Sequence, residues 1–332
     1  MATNTFSREN LLTAARMTHN QEIIDVAEVL NETNEIVQDA HYERGNDNTS
    51  HVASRRTALP TTTWVKVGNG WTATTALLQQ VRETMGMMKS RYQCPQDVMR
   101  LQPNPGKYRQ QQERPHIEGM SQEFANTLFY GGLDPTTGSY SPVPEEFDGL
   151  AARYTSLGTT DTAYVAANGD TSASDDTSIW LIQWGPGKVY LIYPRNGSTA
   201  GLRKEDKGLQ LVTGDNSQQL WAYITEFAWD VGLCVEDTRC IKRVANISSA
   251  SGDAWTLNED RIIEARNNFK AGGGMIYMYC NEAVFTQLDI LSKDKTNVRW
   301  TENNPFGRPQ MYFRDMPVRR CDAIRNDEAS LT

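Results

Sequence analysis

The amino-acid sequence predicts an α+β fold, and three observations support this prediction. One strand is too long for an ordinary compact domain, one helix is long and amphipathic, and the C-terminal part of the chain alternates helices with strands. The chain has 332 residues, 39% of them hydrophobic, which suffices for roughly two or three compact units. An elongated protein built from both helices and sheets is therefore expected.

The long strand is predicted for residues 221–235, "WAYITEFAWDVGLCV". Large apolar side chains fall on odd positions, whereas the acidic residues Glu226 and Asp230 fall on even ones, the period of two that is typical of a half-buried strand. At roughly 3.3 Å per residue it would extend about 50 Å, whereas strands in globular proteins usually have about 3 to 10 residues. We expect the odd face, which includes Trp221 and Tyr223, to be buried.

The long helix is predicted for residues 104–131. Pro115 is expected to kink this helix or to begin a fresh first turn, because proline lacks a backbone N–H donor. The paired glycines at 131–132 supply the stop signal. The predicted buried stripe consists of Ile117, Met120, Phe124 and Leu128.

Residues 251–332 predict a compact α/β unit. Helices are expected in "TLNEDRIIEARNNF" and "NEAVFTQLDILSK", and strands in "GGGMIYMYC" and "PVRRCDAI". The triple glycine at 272–274 follows a helix, whereas a phosphate-binding loop would open one, so we interpret it as a helix C-cap.

Two further segments between the long helix and this unit predict strands. "IWLIQWGPGKVYLIYP" predicts a hairpin that turns at residues 185–187. "RCIKRVANI", which follows the long strand, is expected either to pair with that strand or to extend it past a bend.

The N-terminal part predicts an arm followed by a hairpin. Within residues 1–50, "SRENLLTAARM" and "NQEIIDVAEVLN" predict short helices with too little apolar area for a core, and "ERGNDNTSHVASRR" predicts an exposed connection. The segment "TTTWVKVGNGWTATT" predicts a hairpin with Trp64 and Trp71 beside its glycine turn. Its returning half also has helical spacing, but its threonines and Gly86 favour a strand.

Composition argues against several functional classes. The net charge of −8 argues against a dedicated nucleic-acid binder, since binding to phosphates needs clustered Lys and Arg. No apolar run approaches the roughly 18 residues of a membrane span, and the first residues lack the order of a secretory signal, so a cytoplasmic protein is expected. The five cysteines form no CxxC pair and are interpreted as reduced structural thiols.

No motif predicts catalysis or metal binding. The four histidines lack metal-ligand spacing. Glu226, Asp230 and Glu236 could imitate a catalytic carboxylate pair, but the charged face of an amphipathic strand is the simpler interpretation. Residues 170–176, "DTSASDD", lack the glycine and the terminal glutamate of an EF-hand loop. We therefore predict no catalytic residue, no cofactor and no metal.

Several segments carry a resemblance to a known family. Together with the arm, the hairpin, the long helix, the long strand and the α/β unit, they resemble the major capsid protein of tailed bacteriophages. That family has the Hong Kong 97-like (HK97-like) fold, and the resemblance is to the capsid family of short-tailed phages in particular. The segments are "NEIVQDA", "RRTALPTTTWVKVGNG", "GMSQEFANTLFYG", "PEEFDGLAARY", "FAWDVGLCVEDTRCIKRVANI" and "PVRRCDAI".

The resemblance implies a role for each part of the chain. The long strand precedes the α/β unit, whereas the commoner arrangement places that unit first, which leaves a permuted topology open. The implied parts are an N-arm (1–50), an extended loop (51–95), a peripheral domain (96–150 and 205–250) with the spine helix (104–131), and an axial domain (151–204 and 251–332).

The resemblance also implies a function and partners. The chain is expected to be a structural protein, not an enzyme, that self-assembles as pentamers and hexamers into an icosahedral shell around double-stranded DNA in the host bacterial cytoplasm. Implied partners are a scaffolding protein, which is expected to be separate because the region before the loop is short, a portal protein and a decoration protein, with no membrane. Contact between subunits is expected at the extended loop, through Trp64, Lys66, Val67 and Trp71. It should be non-covalent, because neither an acid catalyst nor a partner asparagine for Lys66 is identifiable.

Two other functional classes remain open on the residues alone. A β-rich ligand-binding protein, such as a sugar-binding surface domain, could use Trp180, Trp184 and Trp229 and would remain small in solution. A hydrolase with scattered acids would show residual turnover. Particle size separates the shell-forming protein from the ligand-binding one.

Overall fold

A computed structural model describes residues 34–161, 163–168, 175–197, 201–213, 218–249, 256–270, 273–293 and 310–332, and the backbone alone of 18–19, 22–23 and 298–301. The helices in these residues are α1 Ile36–Asp39, α2 Gln96–Arg100, α3 Pro105–Tyr130, α4 Leu150–Arg153, α5 Glu259–Asn267 and α6 Glu282–Leu291. The strands are β1 Thr18–His19, β2 Glu22–Ile23, β3 Tyr42–Arg44, β4 Ser50–Ala58, β5 Leu77–Thr84, β6 Gly86–Pro95, β7 Leu133–Asp134, β8 Ser139–Tyr140, β9 Gly158–Thr160, β10 Ala163–Ala167, β11 Asp176–Ile182, β12 Val189–Tyr193, β13 Arg203–Thr213, β14 Gln219–Val235, β15 Ile241–Ser248, β16 Tyr277–Cys280, β17 Val298–Thr301, β18 Gln310–Phe313 and β19 Met316–Arg320. Among the helices of the described ranges, none is long and apolar enough to cross a membrane.

The chain divides into two compact units. The first unit consists of Met1–Glu32, Met87–Ala125 and Gly201–Asp230. The second unit consists of Thr33–Gly86, Asn126–Ala200 and Val231–Thr332.

In the first unit, helix α3 lies against strand β14. Phe124 stacks on Trp229 with a centroid distance of 4.4 Å, and His116 stacks on Phe227 with a centroid distance of 6.0 Å. Strand β14 pairs with β13 along residues 219–228, and it also pairs with β6. The predicted long helix and long strand are therefore both present, and aromatic residues join them.

A buried carboxylate also ties α3 to the β13–β14 hairpin. Glu113 is 3% exposed and accepts hydrogen bonds from Arg109 Nε at 3.0 Å, from Thr225 Oγ1 at 2.6 Å and from Lys204 Nζ. Burial alone would raise the pKa of Glu113, but these hydrogen bonds and the charges of Lys204 and Arg109 outweigh it and lower the pKa. This carboxylate is therefore a structural anion.

The apolar stripe predicted for α3 is correct except at one of its four positions. Ile117 is 42% exposed, whereas the other three residues of the stripe are buried. The helix is continuous through Pro115, so the predicted alternative of a fresh first turn at that residue is wrong. It ends before the paired glycines, as predicted, and Gly132 has a φ of +74°, a conformation that glycine adopts without strain.

The burial predicted for β14 is correct only in its middle and last parts. At its beginning Trp221 is 52% exposed, while Ala222 and Ile224 on the other face are buried. From residue 231 onward both faces are buried. The period of two identifies which side chains share a face, but the covering elements change along the strand, so one face is not buried throughout.

The second unit contains an eight-stranded sheet in the order β17-β18-β19-β16-β11-β15-β10-β9. The β10–β15 and β16–β19 pairs are parallel, which gives a mixed sheet. Helices α5 and α6 share one apolar core with it, through Ile262 and Leu288 packed together with Leu181, Val244 and other strand residues. All four elements predicted for residues 251–332 are formed.

Strands β11 and β12 do not form the predicted hairpin. Strand β11 lies between β15 and β16, whereas β12 pairs antiparallel with residues 232–235 of β14 and parallel with β3. The connection at 185–187 therefore leads from one sheet to another. Because both strands are buried at nearly every position, the sequence shows two continuous apolar runs whose partners cannot be read from the pattern.

The segment after the long strand resolves one open alternative. A 3-10 turn at Thr238–Cys240 follows β14, and β15 then runs between β11 and β10. The chain therefore extends past a bend instead of folding back as a partner of β14.

The glycines near residue 273 are not a helix C-cap, contrary to the prediction. Helix α5 already ends at Asn267, with Asn268 as its C-cap residue. Gly273 and Gly274 have positive φ angles of 71° and 110°, and the Gly273 carbonyl accepts a hydrogen bond from Gln183 Nε2 at 2.7 Å. The glycines shape a turn that is held by a distant side chain, a contact that local sequence cannot indicate.

The arm differs from its prediction where it is described. "SRENLLTAARM" and most of "NQEIIDVAEVLN" lie outside the described residues, but β1 and β2 pair with each other where the second helix was expected, so that helix is absent there. Residues 34–50 belong to the second unit, where Arg319 donates to Asp39 at 3.1 Å. The predicted exposed connection is also largely wrong, because residues 50–58 form β4.

Candidate intersubunit site

The extended loop is a two-stranded hairpin. Strands β4 and β5 pair antiparallel from Ser50 opposite Thr84 to Ala58 opposite Leu77. The returning half is a strand, as the threonine-rich sequence favoured. The pairing ends at Ala58, ten residues before Gly68 of the predicted glycine turn, so residues 59–76 form a long tip without a ladder.

The base of this hairpin is fixed in the second unit by polar contacts. Arg153 donates two hydrogen bonds to Glu83, at 2.5 and 2.8 Å, and Glu83 is only 8% exposed. Burial would lower the pKa of Arg153, but the hydrogen bonds to Glu83 raise it. Tyr190 and His51 are also hydrogen bonded, at 3.0 Å. A bidentate Arg–carboxylate pair fixes direction as well as distance, so the base is well oriented.

The tip exposes its aromatic residues almost fully. Trp64 has a relative exposure of 106%, Val67 of 101% and Trp71 of 78%. The turn between them is closed by the Asn69 N–H, which donates to the Lys66 carbonyl at 3.0 Å, and Gly68 has a φ of +92°. Exposed aromatic surface of this kind usually marks an interface.

Lys66 lies on the same tip with an exposed side chain. It has no ion-pair partner among the described residues. The structure thus brings the four predicted contact residues together on one projection, which the hairpin base orients from the second unit.

Three leucines near the tip were missed as contact candidates. Leu59 is 75% exposed, Leu77 is 60% exposed and Leu78 is 69% exposed. The adjacent pair Leu77-Leu78 was a usable signal, because consecutive apolar residues on a two-stranded ribbon cannot all face a core.

The structure places the other candidate residues in structural contacts. His116 pairs with Ser90 at 2.7 Å, and burial lowers its pKa. Glu226 accepts from Arg91 at 2.6 Å, and Glu236 accepts from Tyr190 at 3.1 Å. No group of three or more metal-binding side chains occurs within the described part of the chain.

The tryptophans proposed for a ligand-binding protein are core residues. Trp180 is fully buried, and Trp184 and Trp229 are each 8% exposed. Trp184 Nε1 donates to the Tyr279 hydroxyl at 2.9 Å. They therefore offer no aromatic surface on which a sugar could stack.

Comparison with known proteins agrees with the capsid resemblance. The family model "Major capsid protein GP7" matches residues 18–332. A chain of the near-atomic structure of bacteriophage Epsilon15 is similar over 100% of both chains, with 28% identity and a TM-score of 0.72. No curated protein matches the chain.

Two further solved structures are similar at lower levels. The bacteriophage JBD30 capsid has 13% identity and a TM-score of 0.44 over 94% of this chain and 97% of that chain. The SrpI encapsulin complex of Synechococcus elongatus has 10% identity and a TM-score of 0.47 over 70% and 94%, respectively.

The family match and the similarity to the Epsilon15 chain confirm the predicted HK97-like fold and the structural role in a phage capsid. They also confirm that this is a protein that self-assembles into a shell and is located in the virion capsid. The chain belongs to the Major capsid protein GP7 family.

Proposed function

We propose that this capsid protein closes its shell by inserting the extended-loop tip of each copy into a neighbouring copy. The observation that carries the proposal is the nearly complete exposure of Trp64, Val67 and Trp71 on a hairpin whose base is fixed. A neighbour that buries these side chains removes apolar surface from water, and Lys66 beside them can pair with a carboxylate of that neighbour.

The assembly that this contact supports consists of pentamers and hexamers in an icosahedral shell around double-stranded DNA. The net charge of −8 supports a container without sequence-specific DNA contacts. The parts are an N-arm (1–50), an extended loop (51–95), a peripheral domain (96–150 and 205–250) and an axial domain (151–204 and 251–332).

The same proposal includes the partners of the chain and the place where the shell is assembled. A separate scaffolding protein, a portal protein and a decoration protein act with the chain, and assembly takes place in the host bacterial cytoplasm. The interlocking is non-covalent, and the protein is not an enzyme. The absence of an ion-pair partner for Lys66 among the described residues leaves its ammonium available for a partner copy.

Replacing Trp64 and Trp71 with alanine tests the proposal. Protomer melting should be unchanged, because neither side chain has a core contact to lose. Shell formation, followed by light scattering and electron microscopy, should be weakened, since buried tryptophans at interfaces commonly contribute about 2 kcal/mol or more each. The matched control is Trp180→Ala, which removes a buried tryptophan and should lower the melting temperature. A double variant that unfolds, or one that assembles normally, contradicts the proposal.

A further inference from the structure

The β13–β14 hairpin of the first unit has an apolar face that is open to solvent. Leu209 lies opposite Tyr223, and Leu211 lies opposite Trp221, so the four side chains are neighbours on one face. Leu209 is 39% exposed, Leu211 47% and Trp221 52%, and Tyr223 is half-buried. We call these four residues the hairpin face.

On strand β14, the opposite face of the hairpin is already used inside the unit. Ala222 is fully buried and Ile224 is 2% exposed, and both alternate with the exposed Trp221 along β14. A two-stranded hairpin that packs one face on its own core normally carries polar residues on the face exposed to solvent. Apolar residues on the solvent side therefore require an explanation other than the unit's own core.

The two halves of β13 also differ in their charged residues. A bulge divides the strand, with Gly208 at a φ of +68° and its N–H donating to Asp206 Oδ1 at 2.8 Å. Before the bulge, all five residues at 203–207 are charged, whereas none is charged at 209–213. Charged side chains protect an edge strand from pairing with other chains, so β13 protects its first half and leaves its second half open to contact.

We propose that the hairpin face is a contact site for a second copy of this chain, an inference that rests on the proposed function. Four side chains bury far less than the roughly 800 Å² per partner of a stable two-protein interface, so this patch cannot hold an isolated dimer. A weak contact of this size becomes effective when an assembly repeats it in every subunit. The uncharged surface does not suit nucleic acid, whose binding depends on cationic groups.

Thiol labelling measures whether the hairpin face becomes covered. All five native cysteines are buried, so they should react little with the label. Trp221→Cys therefore provides the exposed thiol whose reactivity is measured. This thiol should react readily with a maleimide in protomers and be protected in shells, and Leu211→Cys should behave in the same way. Gln210→Cys, which lies between them on the other face of β13, is the matched control and should label in both states.

Each result supports or contradicts the inference. Equal labelling of Trp221→Cys in protomers and shells contradicts it, and so does equal protection of Gln210→Cys, because the protection would then not follow the face. Normal assembly of the Trp64→Ala, Trp71→Ala variant contradicts the proposed function itself, whereas shells with a reactive Trp221→Cys thiol contradict this inference alone.

A second variant separates a contact between copies from a contact within the chain. Trp221→Ser combined with Leu211→Ser should leave protomer melting unchanged and raise the concentration needed for assembly on the order of tenfold. A clear fall in the protomer melting temperature would instead mean that the face is covered by its own chain, and it would overturn the inference.

Discussion

The tip of the extended loop and the C-terminal tail reverse the usual distribution of side chains. At the tip, Trp64 and Trp71 project into solvent, whereas the tail places the Glu328 carboxylate in the interior of the second unit, 3% exposed. The difference shows that burial here follows contacts, not residue type. The interior charge has its partners within the chain, whereas the exposed aromatics have none among its described residues, and the proposed function supplies that partner as a neighbouring copy.

The tail is held by a fully paired polar network. Glu328 Oε2 accepts from Arg243 Nη2 at 3.0 Å and from Ser178, and Glu328 Oε1 accepts from the Tyr130 hydroxyl at 2.5 Å. Burial, followed by the charge of Glu328, raises the pKa of Tyr130 well above its usual value, so the phenol remains a donor. These hydrogen bonds attach the tail to Tyr130 at the end of α3 and to strands β11 and β15 of the eight-stranded sheet.

Beyond Glu328 the tail makes a second attachment. The Asn246 side chain donates to the Leu331 carbonyl at 2.9 Å and accepts from the Leu331 N–H at 2.9 Å. Asn246 itself has a φ of +58°, in the left-handed region that asparagine tolerates better than most residues. These two reciprocal hydrogen bonds between Asn246 and Leu331 hold the last residues in the way that pairing with a neighbouring strand would.

Breaking the tail network should produce the largest change in stability. Arg243→Met leaves the buried Glu328 carboxylate without its cation, which typically costs about 3 to 5 kcal/mol. Chemical denaturation of the protomer measures this loss as a shift of the unfolding midpoint. The paired variant Arg243→Met with Glu328→Leu should lose much less stability, because it leaves no charge unpaired. A paired variant as unstable as the single one would show that the network acts through packing rather than through charge.

A buried lysine should destabilise the protomer below its pKa. Lys242 is fully buried and donates to the Asp161 carbonyl at 2.6 Å. Burial lowers its pKa from 10.5 to about 8, although the charges of Asp161, Cys240 and Asp237 oppose the shift and Lys270 adds to it. Because the unfolded chain then binds more protons than the folded chain between about pH 8 and pH 10.5, stability should rise with pH across that window.

Lys242→Met tests this prediction. The difference between 10.5 and about 8 corresponds to about 3 kcal/mol at neutral pH, and the lost hydrogen bond offsets about 1 kcal/mol of it. We expect a gain of about 2 kcal/mol at pH 7 and a flatter stability curve above pH 8. Urea denaturation at a series of pH values measures both, and Lys89→Met, which changes an exposed lysine of β6, is the control. A variant that is less stable at pH 7 would contradict the prediction.

A glycine substitution at the tip should have the smallest effect on the protomer. Gly68→Ala places a side chain at a φ of +92°, which strains the turn by roughly 1 to 2 kcal/mol, although the added Cβ meets no other atom. Because the tip is not part of a core, protomer melting should not change, while assembly by light scattering should need more protein. Gly70→Ala is matched, since Gly70 is not among the glycines with a positive φ and its surroundings are equally open. If the two variants assembled equally well, the backbone conformation of the tip would have no effect on shell formation, which would contradict the prediction.

The exposure of the two tip tryptophans could be predicted from sequence because of their position, and the exposure of the hairpin face could not. Trp64 and Trp71 flank a glycine turn, where no local core can bury them, so their exposure follows from the chain itself. Trp221 lies in a strand whose apolar period is identical whether the face is covered or open. Its exposure depends on where α3 and the neighbouring strands end. The apolar period of β14 contains no information about those end points.

The sequence by itself determined the long helix, the long strand, the extended hairpin and the elements of residues 251–332, because each is encoded by local periodicity and by turn residues. Only the tertiary structure decided that β11 and β12 join different sheets, that β15 continues past a bend and that the tail buries Glu328. The physical reason is the same in each case. Local pattern specifies the form of a segment and the side chains that share a face, whereas the partner that buries or pairs a face comes from a distant part of the chain, or from another copy of it.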